Sequence, residues 1–91
     1  MALLKLSFSG SSLTFLSTVP QKFRAQIIKK VRALALNPYP QGSKKLQGVE
    51  TPMGEPVYRE RSGDYRILYV LRKDPDQVVI LDIDHRKDVY Q

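Results

Sequence analysis

Residues 57–84 read VYRERSGDYRILYVLRKDPDQVVILDID, and the fold turns on how this stretch is divided. Three runs rich in β-branched and aromatic residues, Val57 to Arg61, Tyr65 to Arg72 and Gln77 to Asp84, are separated by Ser62-Gly63-Asp64 and Lys73-Asp74-Pro75-Asp76. The runs read as strands and the separators as turns. Neither connection is long enough for a crossover helix, so neighbouring strands must pair antiparallel.

Working back from Val57, the period changes. Residues 39–56 are loop-rich, with Pro40, Gly42, Gly48, Pro52, Gly54 and Pro56, and Lys44-Lys45-Leu46 inside them reads as a short strand or a turn. Before that, Phe23, Ile27, Val31 and Leu34 fall within an arc of roughly 80° at helical pitch, with Lys22, Gln26 and Lys29 opposite. Thr18 and Gln21 have the spacing of a capping box, Pro20 suits a first turn, and Asn37-Pro38 ends the helix. Leu3, Leu4, Leu6 and Phe8 suggest a first short strand. Ser9 to Ser12 breaks it and can cap a first helix, where Leu13 and Leu16 would bury one side. The expected order is β-α-α-β-β-β in a single domain over residues 1–91. It is an α+β fold, with both helices packed on one face of an antiparallel sheet.

The 91 residues suffice for one domain and a modest core, and 42% hydrophobic content argues for a folded globule. Fifteen basic against nine acidic residues leave a net charge of +6, which favours an anionic partner: RNA, DNA, an acidic protein or a charged membrane. The absence of cysteine excludes disulfides, thiolate catalysis and Cys-based zinc sites, and fits a reducing compartment. No apolar run approaches the roughly 20 residues of a membrane span. The N-terminal apolar run is broken by Lys5, Ser7 and Ser9-Gly10-Ser11-Ser12, so it reads as structure rather than as a signal peptide. A cytoplasmic protein without membrane association is expected.

Several chemistries lack their residues. There is no GxxxxGK or GxGxxG loop for a nucleotide, and a single histidine excludes a multi-histidine metal site. No metal or other cofactor is expected. Asp82 and Asp84 alternate like paired ligands, but carboxylates on a basic strand are more often salt-bridge partners. What remains is a set of cations and one titratable ring. Arg59 and Arg61 share a face of their strand, Arg66 opens the next one, His85 and Arg86 follow the last, and Tyr90 lies just beyond. Gathered on an exposed sheet face, such guanidiniums would bind a phosphate backbone and stabilise charge developing at phosphorus. The plainer alternative is a solvated face balanced by Glu60, Asp64, Asp82 and Asp84. Lys22, Lys29, Lys44 and Lys45 are candidate point charges for RNA or ribosome binding.

Three segments resemble the RelE/ParE toxin superfamily, in the expected order and over nearly the whole chain. Tyr58-Arg59-Glu60-Arg61-Ser62-Gly63-Asp64-Tyr65-Arg66-Ile67-Leu68-Tyr69 looks like its central signature. Asp84-His85-Arg86-Lys87-Asp88-Val89-Tyr90 is similar to its "HR-x-D-V-Y" tail. Asn37-Pro38 followed by Lys44-Lys45-Leu46-Gln47-Gly48 resembles its "N-P … K-x-L-x-G" stretch. The resemblance implies a βαα unit followed by an antiparallel sheet, and a toxin held by a small RelB-like antitoxin. In the RelE branch it further implies an endoribonuclease that enters the ribosome and cuts mRNA without metal. There the ribose 2′-hydroxyl attacks the adjacent phosphate. In the ParE branch the target is DNA gyrase, and the toxin acts by binding only. By this resemblance Arg66 is the phosphate-stabilising arginine, Arg86 the basic residue after the last strand, and Tyr90 the tyrosine that stacks on or orients a base. Arg59 stands where RelE-type enzymes often carry a lysine regarded as the base. A guanidinium is a poor proton acceptor, and this makes His85 the substitute expected from sequence. The ribosome-dependent mRNA endonuclease is the reading adopted here, with the gyrase poison as its alternative.

Overall fold

The computed structural model describes residues 3–73 and 75–85. Its elements are β1 (Lys5–Phe8), α1 (Gly10–Thr18), α2 (Gln21–Leu36), β2 (Lys44–Glu50), β3 (Pro56–Ser62), β4 (Tyr65–Arg72) and β5 (Gln77–His85). The five strands lie in the order β1-β5-β4-β3-β2. β2 to β5 form an antiparallel meander, and β1 closes the other edge by pairing parallel to β5. The expected α+β architecture is present. The Lys44-Lys45-Leu46 segment, open between strand and turn in the sequence, is the start of a seven-residue edge strand. Its charges and glycine hid it, because an exposed edge strand buries no face and shows no apolar alternation.

α1 begins at Ser9, whose side chain accepts the Ser12 amide and so satisfies one orphan N–H of the first turn. The same hydroxyl donates to the Leu81 carbonyl at 2.6 Å, and the Ser9 amide bonds the Ile80 carbonyl, which ties the helix start to β5. Two expectations for the helices are corrected. The Thr18–Gln21 capping box does not form. Thr18 ends α1 and donates its hydroxyl to the Phe15 carbonyl, while Pro20 is the N-cap of α2 and has no side-chain oxygen to offer. Leu13 is 53% exposed, and α1 buries Ser12 and Leu16, which are four apart rather than three.

α2 buries Ile27, Val31, Leu34 and Ala35. Phe23, at the start of the same stripe, stays 40% exposed and rests its ring against Tyr65. Between helices and sheet lie Ile67, Tyr69, Val78, Ile80 and Ile83, all essentially inaccessible. Burying one such aliphatic side chain is worth about 1.5–3 kcal/mol. Tyr69 brings a polar tip into the core, and its hydroxyl donates to the Pro38 carbonyl at 2.7 Å, anchoring the chain as it leaves α2. Tyr39, Tyr58 and Tyr69 pack ring to ring in sequence, at 5.3 and 5.8 Å between centroids.

β5 departs from strict alternation once. Tyr69 pairs Ile80 but Leu68 pairs Asp82, so Leu81 is an extra residue, a β-bulge. The bulge reverses the parity of everything after it. Val78, Ile80 and Ile83 all face the helices, whereas Asp82 and Asp84 face away. Without it Asp82 and Asp84 would enter the core opposite Ile67 and Tyr65.

Candidate functional site: an arginine row on the open face of the sheet

The β3–β4 hairpin sets the site. Ser62 pairs Tyr65 across the two-residue turn Gly63-Asp64, with Gly63 at φ 60°, a left-handed conformation that disfavours a side chain. This register places Arg61 directly opposite Arg66, and Arg66 in turn opposite Asp84 on β5. A second row runs beside it: Lys44, Arg59, Leu68 and Asp82, each paired with the next. Alternation puts all of these on the face turned away from the helices. Tyr58, Glu60 and Ser62 take the other face, where Glu60 and Ser62 are buried. The Glu60 carboxylate accepts the Arg61 amide at 2.8 Å. This amide lies beyond the Lys44–Arg59 pair where β2 begins.

Two guanidiniums directly opposite each other repel, and a sheet chosen for stability alone would avoid the pair. Arg66 is only partly compensated, since its Nε lies 3.5 Å from Asp84 Oδ1, an ion pair longer than a hydrogen bond. Their side chains are 18% and 25% exposed, so both charges are mostly withdrawn from water. Among the described residues, Arg59 Nε is buried with no hydrogen-bond acceptor. Arg72, by contrast, is fully spent: its Nε and Nη2 bond both oxygens of Glu55 at 2.7 and 2.8 Å. Those bonds, then the Thr51 hydroxyl, hold the Glu55 carboxyl down to about 2.

The structure brings Arg59, Arg61 and Arg66 together and separates His85 from them. His85 pairs Tyr65 in register and meets its ring edge-on at 4.9 Å, on the side where Tyr65 also touches Phe15 and Phe23. Arg86 and Tyr90 lie outside the described residues. The four lysines do not form one surface. Lys44 extends the arginine face, Lys45 pairs Tyr58 on the helix side, and Lys22 and Lys29 are exposed on α2. Asp84 was read from sequence as a salt-bridge and charge-balancing residue, with paired metal ligation as the lesser alternative. Its position beside Arg66 depends on the Leu81 bulge, which the broken alternation of Ile80, Ile83 and the two aspartates does signal. A separate cavity of about 310 Å³, lined by Leu4, Tyr39, Tyr58, Leu71 and Arg72 among others, has none of the arginine row in its wall.

This architecture is that of RelE-type toxins. Over 93% of its length the chain superposes on 97% of the toxin in the archaeal RelE–RelB complex from Pyrococcus horikoshii, with a TM-score of 0.77 and 22% identity. It matches the RelBE2 toxin–antitoxin complex of Mycobacterium tuberculosis with a TM-score of 0.74, 24% identity and coverage of 93% and 100% of the two chains. For the intact Escherichia coli RelBE complex the values are 0.71, 22%, 92% and 96%. No curated protein matches the sequence. The family model for the ParE toxin of the type II toxin–antitoxin system, parDE, matches residues 13–90, and the chain belongs to that family.

Proposed function

We propose that this toxin is a ribosome-dependent mRNA endonuclease in which the open arginine face holds the scissile phosphate. The observation that carries the reading is the Arg61–Arg66 pair, two arginines set directly opposite each other across the β3–β4 hairpin, with Asp84 3.5 Å from Arg66. A phosphodiester between them supplies the charge they lack, and a phosphorane, with more negative charge on its non-bridging oxygens, is stabilised further. Arg59 and Lys44 extend the same face for the flanking backbone. Arg86 and Tyr90 complete the site from the tail, Arg86 at the phosphate and Tyr90 on a base. His85, on the Tyr65 side, orients the end of β5 from which that tail departs. Lys22, Lys29 and Lys45 bind ribosomal RNA as point charges. No metal takes part in this scheme. A small acidic antitoxin of the RelB type holds the toxin inactive, drawn by the +6 charge, and the cytoplasm is where both would act.

The family match favours one alternative, a toxin that poisons DNA gyrase by contact. Translation of a defined mRNA in an extract separates the two. The endonuclease gives ribosome-dependent cuts leaving a 2′,3′-cyclic phosphate and a 5′-hydroxyl. Intact mRNA together with trapped gyrase–DNA complexes would replace this reading with the other.

A further inference from the structure

An arginine face binds and stabilises phosphate, but none of its guanidiniums can accept a proton near neutral pH. His85, the group expected to do so, is packed against Tyr65 on the opposite side of the sheet. Asp82 and Asp84 are on the arginine side. We propose that Asp84 is the general base of the site, taking the proton of the attacking ribose 2′-hydroxyl; this rests on the endonuclease reading above.

The register argues for Asp84 over Asp82, Glu60 and Glu55. Asp84 is the cross-strand neighbour of Arg66 and continues the Arg61–Arg66 row, and its Oδ1 lies 3.5 Å from Arg66 Nε. Asp82 stands a row away, opposite Leu68, with its Oδ1 accepting the Ile83 amide at 3.0 Å. Glu60 is buried on the helix side, and Glu55 is held by Arg72. A phosphodiester seated on Arg61 and Arg66 brings its 2′-oxygen next to the group that neighbours Arg66, and that group is Asp84. The 2′ O–H bond breaks and the proton goes to the Asp84 carboxylate. The O2′–P bond forms, P–O5′ breaks with its electron pair on O5′, and water protonates the leaving oxygen. The hydroxide so formed recovers the proton from Asp84.

The test is single-turnover cleavage of mRNA on programmed ribosomes by wild type, Asp84→Asn, Asp84→Glu and Asp82→Asn. Asp84→Asn should lower the rate by about 10²–10⁴-fold, the usual worth of a positioned base. Its residual rate should climb tenfold per pH unit between about pH 6.5 and 8.5, because hydroxide must replace the missing base, while wild type stays flat. Asp84→Glu should recover part of the rate, and Asp82→Asn should cost less than tenfold. Asp84→Asn should still bind ribosomes carrying mRNA blocked by a 2′-O-methyl group at the cut. Wild-type cleavage by Asp84→Asn overturns the assignment, as does a loss with a flat pH profile, which would mark a structural role. Faster cleavage overturns it too, and would make Asp84 a screen on Arg66. If wild type itself cuts no mRNA, the endonuclease reading falls and takes the assignment with it; if wild type cuts and Asp84→Asn cuts equally, only the assignment falls.

Discussion

Arg66 has a like charge on one side and an opposite charge on the other, and its substitution is the most informative single change at the residue scale. Arg66→Ala removes the guanidinium proposed to hold the reacting phosphate and should cost about 3 kcal/mol of transition-state stabilisation, roughly 10² in rate. Removing it relieves Arg61 but takes the Arg66 charge from the mostly buried Asp84, so the stability loss should lie between the ~1 kcal/mol of an exposed pair and the ~3 kcal/mol of a buried one. Arg86→Ala should match it in rate, Arg59→Ala and Arg61→Ala should cost less, and His85→Ala should reduce activity less than Arg66→Ala. Cleavage on programmed ribosomes, with circular dichroism to check the fold, measures all five, and a folded Arg66→Ala that cuts at the wild-type rate would remove this site. Tyr69 supplies a residue-scale test of the core. Burial, chiefly, pushes its hydroxyl up to about 12, so ultraviolet titration should show one tyrosine ionising well above the ordinary value. Its folded value exceeds the unfolded one of about 10. The contribution is therefore complete below pH 10 and lost as pH rises towards 12. Tyr69→Phe, which leaves the Pro38 carbonyl without its donor, should cost about 1 kcal/mol in denaturant unfolding.

At the scale of elements, the junction of α1 with β5 and the β2–β3 hairpin are the parts whose chemistry is most local. Ser9 caps α1 and also bonds the bulged Leu81 carbonyl, so Ser9→Ala should destabilise by about 1–2 kcal/mol. Unfolding at the wild-type denaturant midpoint would show that neither bond matters. The Arg72–Glu55 clamp braces the end of the β2–β3 hairpin, where the Thr51 amide bonds the Glu55 carbonyl. Glu55 has a folded pKa of about 2, below the ordinary carboxylate value of about 4.3. Its stabilisation is present above that ordinary value and disappears as pH falls towards 2, which amide chemical shifts of residues 51–55 would follow. These elements also show what a sequence can reveal. α2 and the three C-terminal strands bury a face, so their apolar period betrays them, and two breaker clusters mark their turns. β2 buries almost nothing, and the Thr18–Gln21 spacing mimics a cap that the Val19-Pro20 break prevents. Arg59, Arg61 and Arg66 were legible because alternation and a tight turn suffice to gather them. The separation of His85 from that row was less so, because it turns on the Leu81 bulge: the broken alternation of Ile80, Ile83 and the two aspartates signals it, but only the partner strand fixes its register.

For the whole molecule, the excess of six positive charges and the arginine face suit the proposed partner, an anion larger than one phosphate. Replacing Lys22, Lys29, Lys44 and Lys45 by Ala should weaken ribosome binding more in combination than singly. Each lysine that touches phosphate should contribute about 0.7 to the slope of log affinity against log salt. Co-sedimentation across a salt series reads both, and an unchanged quadruple variant would remove this surface from the account. Co-expression with the adjacent small acidic gene product, where one is encoded, should yield a complex in which cleavage is suppressed. The most direct test of the central claim uses the wild-type protein alone, with ribosomes programmed by a defined mRNA and, in parallel, gyrase with supercoiled DNA. The account predicts mRNA fragments ending in 2′,3′-cyclic phosphate and 5′-hydroxyl only when ribosomes are present, and no trapped gyrase–DNA complex. Uncut mRNA beside covalently trapped, cleaved DNA would contradict it.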